Sequence, residues 1–344
     1  MNHLLGAAIL GTGDVTSGHI RAYQTNPHTE VRAILSRDRA RAEATARQHG
    51  LPHCRAYTSL DDLLRQDDIH IVSICTPHHL HTEQGVACAQ AGRHVVVEKP
   101  VALTLADLRK LDTAIRAAGV RSVVSFVLRW NPLFDLIRGL LADGAIGDLF
   151  YGEVDYLHGI TPKLALYPWV RQREFGGTAL LTAGCHAVDA LRWFARQEAL
   201  EVFCYANASP GNPLNYEYEP NSVALIQFAG GMMGKVATSI EAVAPYTFPI
   251  VLMGNGGTIR NNQVFSKRFA GQTGWATIPT VLPDSGAVDH HPFVPQIAHF
   301  VECIRTGVES HCNVADAVKT HEICLAAELS RVERRPVKLP LAGI

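Results

Sequence analysis

Two hydrophobic periodicities divide this chain. Through the first 126 residues, short runs that are apolar throughout alternate with stretches of helical spacing. Ala7–Leu10, Val31–Leu35, Ile69–Cys75, Val95–Glu98 and Val120–Phe126 read as strands, and Ala40–His49, Leu80–Ala91 and Leu105–Ala118 as helices. Strands with no polar side leave no face for water, so they predict a parallel sheet covered by helices on both faces. From Leu149 onward, strand-like runs at Phe150–Tyr156, Val202–Ala206, Val223–Phe228, Met233–Ile240 and Phe248–Met253 are separated by Gly, Pro and Asn turns. They predict a second sheet. Helical patterns at Phe293–Arg305 and Ala315–Arg331 are expected to cover it. Ala208–Asn221, rich in Pro, Asn and Tyr, reads as a long surface loop. No internal repeat or low-complexity linker interrupts the pattern.

In a doubly wound parallel sheet, ligands bind outside the carboxyl ends of the strands. The polar motifs of the first third fall at those ends: Gly11-Thr12-Gly13, Ser36-Arg37, Thr76-Pro77 and Glu98-Lys99-Pro100. The first resembles the opening of a Gly-x-Gly-x-x-Gly turn, with Thr16 at the third glycine position. Such a turn brings the backbone close to a pyrophosphate, whose charge rests on the N–H groups of the helix start. At the end of the second strand an acidic residue binds a ribose 2′-hydroxyl, whereas arginine accommodates a 2′-phosphate. Ser36, Arg37 and Arg41 stand there, so the pattern favours NADP over NAD as the NAD(P) cofactor. The expected nucleotide contacts are Gly11, Thr12, Gly13, Asp14, Val15, Ser36, Arg37, Arg41, Cys75, Thr76, Pro77, His78, His81, Glu98, Lys99 and Arg129. Lys99, at the mouth of its strand, is placed to donate to a substrate hydroxyl.

Composition narrows the function classes. The chain has 344 residues, long enough for two domains, and a formal net charge of −1. No basic block points to nucleic acid, and no apolar run approaches the roughly 18 residues that span a bilayer. The start of the chain lacks the charged flank and cleavage site of a secretory signal. The eight cysteines form no Cys-x-x-Cys pair and several lie in apolar segments. A soluble, cytoplasmic protein with reduced thiols is the expectation. His78, His79 and His81 are the one candidate metal cluster; without a converging carboxylate or thiolate, no metal is expected.

Five segments resemble the Gfo/Idh/MocA oxidoreductases, the family of glucose–fructose oxidoreductase and inositol dehydrogenase. They are Gly11-x-Gly13 followed by His19 and Ala22; Thr76-Pro77-His78-His79-Leu80-His81; Ala91 to Pro100; Gly176 to Asp189; and Asn313 to Ala317. The resemblance implies an α/β fold: an N-terminal Rossmann domain (1–122), then an α/β domain (123–344) built on a large open, mostly antiparallel sheet. A C-terminal helix is expected to pack back between the domains, and association as a homodimer or homotetramer is expected through that sheet.

The resemblance also implies a chemistry, hydride exchange between the cofactor and a ring carbon of a sugar or polyol. In it His186 handles the hydroxyl proton and Lys99 holds the same oxygen. An imidazole suits proton transfer near neutrality, and an ammonium stabilises a developing alkoxide. The family commonly carries a carboxylate four residues before the histidine; here that residue is Thr182. Either Thr182 positions a hydroxyl and His186 works alone, or Asp189 or Asp155 takes the acid's part. Expected substrate contacts are Lys99, Arg129, Trp130, Asp155, Tyr156, Trp169, Thr182 and His186, with His158 and Tyr167 beside them. Two other functions fit the same residues. One keeps the cofactor bound for redox-assisted elimination, glycoside cleavage or epimerisation; the other is a non-catalytic nucleotide- or sugar-sensing regulator.

Overall fold

A computed structural model describes residues 4–283 and 290–342. Contacts divide the chain into two units, Met1–Val127 with Ala287–Val318, and Leu128–Gly286 with Lys319–Ile344. In place of a single cut after residue 122, the chain re-enters its first unit after completing most of the second.

The first unit holds a parallel sheet of β1 (Leu5–Leu10), β2 (Thr29–Leu35), β3 (Arg55–Tyr57), β4 (Ile71–Ile74), β5 (His94–Val97) and β6 (Ser122–Val124). Their spatial order is β3-β2-β1-β4-β5-β6. This is the doubly wound order, which reverses direction between β1 and β4. Helices α1 (Thr16–Thr25), α2 (Arg39–Gln48), α3 (Leu60–Leu64), α4 (His81–Gln90) and α5 (Leu105–Ala118) connect the strands. Ile9, Leu10, Ile71, Val72 and Val95–Val97 are wholly buried, as strands flanked by helices on both faces must be. Local capping fixes the helix ends: Asp38 accepts from the Ala40 N–H at α2, and Thr104 from the Asp107 N–H at α5. Gly119, at φ 66°, ends α5 in the left-handed conformation that glycine adopts without strain. β3 and α3 escaped the periodicity because neither exceeds five residues.

The second unit is built on a ten-stranded sheet. Its strands are β7 (Leu149–Val154), β8 (Tyr156–Leu157), β9 (Ala199–Asn207), β10 (Asn221–Phe228), β11 (Met233–Ser239), β12 (Ile250–Gly254), β13 (Gly257–Arg260), β14 (Gln263–Ser266), β15 (Ala276–Thr277) and β16 (Val337–Lys338). Pairing is antiparallel except where β11 meets β7 and β8. Helices α6 (Pro132–Ala142), α7 (Tyr167–Val170), α8 (Arg173–Gly176) and α9 (Cys185–Ala195) belong to this unit. α9 lies tight against the sheet. A Cβ on Gly152 of β7 or Gly234 of β11 would stand 2.7 or 2.8 Å from the Leu191 side chain, so glycine is what allows the approach. The opposite face of the sheet exposes Tyr205, Val223, Leu225 and Met233.

The helix Phe293–Thr306, expected over the second sheet, packs instead on α1 within the first unit. The Phe293 ring lies 4.7 Å from the His19 ring, and a Cβ on Gly18 would fall 2.5 Å from it. An amphipathic pattern states that a helix buries one face, not which surface receives it. Gly18→Ala should therefore cost about 1–3 kcal/mol through overpacking, read as a lower urea midpoint. Unchanged stability would mean that this helix does not sit on α1.

Candidate active-site residues in each unit

At the end of β1 two glycines have different physical reasons. Gly11 holds φ 108°, and a Cβ there would come within 2.5 Å of the Cys75 carbonyl oxygen. Gly13 needs no such conformation, and a Cβ on it would meet nothing within 4 Å. Packing in the chain does not account for Gly13; close approach of a bound group does. α1 begins beside it with Val15 at the N-cap, no side-chain cap hydrogen bond and no acidic residue in its first turn. A pyrophosphate fits such a helix start, where the N–H groups and the helix dipole favour negative charge. Thr12, Asp14 and Val15 border the same turn and are at least partly exposed.

At the end of β2, Ser36 is buried and its hydroxyl accepts from the Asp38 N–H at 3.3 Å. Arg37 and Arg41 are exposed, and neither makes an ion pair among the described residues. Arg39, between them, is paired with Glu43 at 3.0 Å.

The loops after β4 and β5 are joined by His81. This ring is wholly buried, with Nδ1 2.8 Å from the Pro100 carbonyl and Nε2 2.8 Å from the Thr76 carbonyl. Burial lowers its pKa, against the opposing pull of those carbonyls and of Glu98. The His78 ring is buried, edge-on to it at 5.8 Å. Glu98 is also buried and meets His19 Nε2 at 2.8 Å; His19 Nδ1 lies 3.2 Å from the Ser73 hydroxyl, which contacts the Tyr23 hydroxyl at 2.8 Å. The side chains of His81, Glu98 and Cys75 are buried, and those of His81 and Glu98 are taken up by neighbouring backbone and side chains. Thr76 and Pro77 remain partly exposed, and Lys99 is half-buried at the end of β5. No group of three or more His, Cys, Asp or Glu is arranged to hold a metal among the described residues.

In the second unit His186 is the second residue of α9 and is buried. It follows a single π-helical turn, Leu180–Gly184, a local widening often found at functional sites. Its ring stacks on Tyr156 at 6.2 Å and 13°, and Tyr156 meets Tyr246 edge-on at 5.5 Å. Thr182, in the π turn, donates its hydroxyl to the Gly176 carbonyl at 2.6 Å. Trp169 lies half-buried in α7, and Trp130 half-buried just before α6.

Both candidate acids are engaged by other groups. Asp189, one turn beyond His186, takes a bidentate grip from Arg129 at 2.7 and 2.5 Å and a hydrogen bond from the Thr320 hydroxyl at 3.0 Å. Arg129 in turn stacks on Trp193, 4.4 Å from the ring centre. Both charges are buried, so each needs the other. Arg129 is thereby held inside the second unit as a structural group, contrary to its expected role with nucleotide or substrate. Asp155 is bound by Lys235 Nζ at 2.8 Å and by the Ala237 N–H at 2.7 Å. Lys235 and its other partner, Glu153, stand on the sheet face opposite Gly152 and Gly234, hence opposite α9. Strand alternation, which puts neighbouring residues on opposite faces, separates Asp155 from His186.

Comparisons with known proteins meet this geometry at both units. Residues 5–126 match the model of an oxidoreductase family with an NAD-binding Rossmann fold, and residues 134–260 match the GFO/IDH/MocA C-terminal domain. The chain belongs to the Gfo/Idh/MocA oxidoreductase family. It is 25% identical to the uncharacterized oxidoreductase YrbE of Bacillus subtilis, with 98% of each chain covered. It is 27% identical to the trans-1,2-dihydrobenzene-1,2-diol dehydrogenase of Oryctolagus cuniculus, over 68% of this chain and 69% of that one. The match to an uncharacterized oxidoreductase of Synechocystis is 34% identical, but spans only 55% of this chain and 51% of that protein. Among solved structures, an oxidoreductase domain protein from Kribbella flavida superposes with TM-score 0.88 at 26% identity, covering 98% of this chain and all of that one. A levoglucosan dehydrogenase in complex with NADH and levoglucosan shares the fold, with TM-score 0.88 at 23% identity over 98% of this chain and 100% of that chain. Residues 5–126 thus carry the NAD-binding Rossmann fold of this oxidoreductase family. No helix among its described residues is long and apolar enough to cross a membrane.

Burial by itself would raise the Glu98 pKa, but His19, with Lys99 and Ser125, brings it below the ordinary 4.5. A depressed carboxyl adds stability that is present above its unfolded pKa and is lost as pH falls through the folded value. The stability lead of the native protein over Glu98→Gln should therefore shrink as pH drops below about 4.5. Urea midpoints measured from pH 7 to pH 3 check this, and a constant gap would refute it.

Proposed function

We propose that the enzyme is an NAD(P)-dependent dehydrogenase or reductase of a sugar, inositol or related polyol. The observation that carries this reading is the contrast at the end of β5: Lys99 stays half-buried while Glu98 and Pro100 on either side are buried. The cofactor, when bound, accepts or delivers the hydride. The chain's own part is proton and charge handling. His186 takes or returns the hydroxyl proton, and Lys99 donates to the same oxygen and stabilises its alkoxide character. Thr182 supplies no charge, and its hydroxyl already serves Gly176, so it brings no carboxylate to His186. Asp189 and Arg129 hold α9 in place. Tyr156 presents an aromatic wall beside the imidazole. Support for the sugar class comes from the fold shared with levoglucosan dehydrogenase and with the aldose–aldose oxidoreductase of Caulobacter crescentus. Uncharged Ser36 beside two arginines without ion pairs supports NADP over NAD.

A panel of sugars, inositols and anhydrosugars, assayed with NAD and NADP separately, tests the reading. At least one compound should be turned over, faster with NADP, and Lys99→Met and His186→Asn should each lower kcat by about a hundredfold or more. Full activity in either variant would overturn the assigned roles. Thr182 gives weight to a second reading, in which oxidation at one carbon permits elimination or cleavage elsewhere. Its mark would be purified protein that carries dinucleotide and converts substrate with no net reduction of added cofactor.

The outer face of the second sheet supports self-association. Tyr205 is 72% exposed and Met233 60%, and Val223 pairs directly with Tyr205 across β9 and β10. A contiguous exposed apolar sheet face suits a two-fold contact with a second copy. Tyr205→Glu combined with Leu225→Glu should shift the mass measured by light scattering toward the monomer; an unchanged mass would refute this face as the contact.

A further inference from the structure

Lys99 is flanked by two residues that are each held by a buried imidazole from a different helix. Glu98 meets His19 of α1 at 2.8 Å, and the Pro100 carbonyl meets His81 of α4 at 2.8 Å. The second nitrogen of each ring is also engaged. His19 Nδ1 rests 3.2 Å from Ser73 of β4, and His81 Nε2 rests 2.8 Å from the Thr76 carbonyl. Each ring therefore ties the lysine loop to an element that borders the proposed dinucleotide site. His19 ties it to the helix that opens at Gly13, and His81 to the Thr76-Pro77 loop.

We propose that His19 and His81 are positioning residues for Lys99, acting through Glu98 and Pro100; the proposal rests on Lys99 acting as described above. Consecutive Cα atoms lie 3.8 Å apart, so fixing residues 98 and 100 leaves the backbone at 99 little freedom. The lysine stem, a four-carbon chain, then starts from a fixed backbone point. That narrows where the ammonium can stand, the condition under which an oriented group contributes most to rate. Neither imidazole touches the reacting oxygen in this scheme. Their second contacts make the anchor stiff: Ser73 is itself held by Tyr23, and Phe293 lies 4.7 Å from the His19 ring.

Amide substitutions separate the two contacts of each ring, because a Gln nitrogen takes the place of Nε2 and an Asn nitrogen that of Nδ1. His19→Gln keeps the Glu98 contact and His81→Asn keeps the Pro100 contact. His19→Asn and His81→Gln keep only the contact on the far side. The readout is the NMR resonance of Lys99 after ¹³C-methylation of lysines, assigned by its absence in Lys99→Arg, together with kcat and the dinucleotide Kd. In His19→Asn and His81→Gln the resonance should shift and kcat should fall at least about tenfold, with Kd changed less than about threefold. His19→Gln and His81→Asn should stay near the native protein. If a variant does not fold, Ser73→Ala, which loosens His19 without touching Glu98, should shift the same resonance. Equal effects from the two amides at each position, or a native Lys99 resonance in every variant, would overturn the proposal. The resonance is read without substrate, so a panel that yields no turnover would count against the functional reading and leave this one standing or falling on its own.

Discussion

An ionised carboxylate inside a protein must be given donors and positive charge at close range, or it takes up a proton. Glu98 meets that constraint through His19, Lys99 and Ser125, and much of the first unit is arranged around the solution. The donor on its one side comes from α1, so the helix that opens at the phosphate turn is tied to the end of β5. Ser73 and Tyr23 complete the chain through β4 and α1. The same contacts that satisfy a buried charge thus set the relative position of the strand ends that border the proposed dinucleotide site. His81 repeats the arrangement on the other side of Lys99, with a backbone carbonyl 2.8 Å from each ring nitrogen.

The second unit solves the equivalent problem with Asp189 and Arg129. A buried pair of this kind is weak evidence for stability, since replacing both partners by apolar groups is often neutral, whereas removing one leaves a charge stranded at a cost of about 3–5 kcal/mol. Its consequence here is geometric. Asp189 lies one helical turn from His186, and Arg129 immediately precedes α6, so the pair fixes the rotation of α9 and with it the direction of the imidazole. Arg138 of α6 also lies over Trp193, 4.0 Å from the ring centre. Asp189, one of the two acids that the sequence offered as a proton partner, is engaged by Arg129 and Thr320.

In the sheet of the second unit, two glycines admit α9 on one face while a row of apolar side chains remains on the other. Alternation along β7 and β11 decides what each face does. Gly152 and Gly234 receive the helix that carries His186, and Glu153, Asp155 and Lys235 form an ion cluster on the opposite side. The proposed chemistry and the proposed self-association would thereby use different faces of one sheet. A one-residue slip in register would exchange them.

Five of the six strands of the first unit, and α2, α4 and α5, were legible to within a few residues, because a buried parallel sheet demands unbroken apolar runs. Leu105–Ala118 was read to its observed ends, since Thr104 and Gly119 mark them chemically. Gly11, Gly13 and Lys99 were also legible, because turn geometry and strand-end placement follow from local sequence. The short strands β3, β13, β14, β15 and β16 were not, for runs of two to four residues carry no period. Nor were the partners of charged residues. Asp155 and Asp189 looked equivalent as candidates near His186, and only the pairing of β7 with β11 and the packing of Arg129 separated them. The helix Phe293–Thr306 showed its buried face but not its host. Local spacing determined which elements form and which residues sit at their ends. Long-range packing decided which charges meet, because ion pairs and ring contacts join positions far apart in the chain, and no local pattern records them.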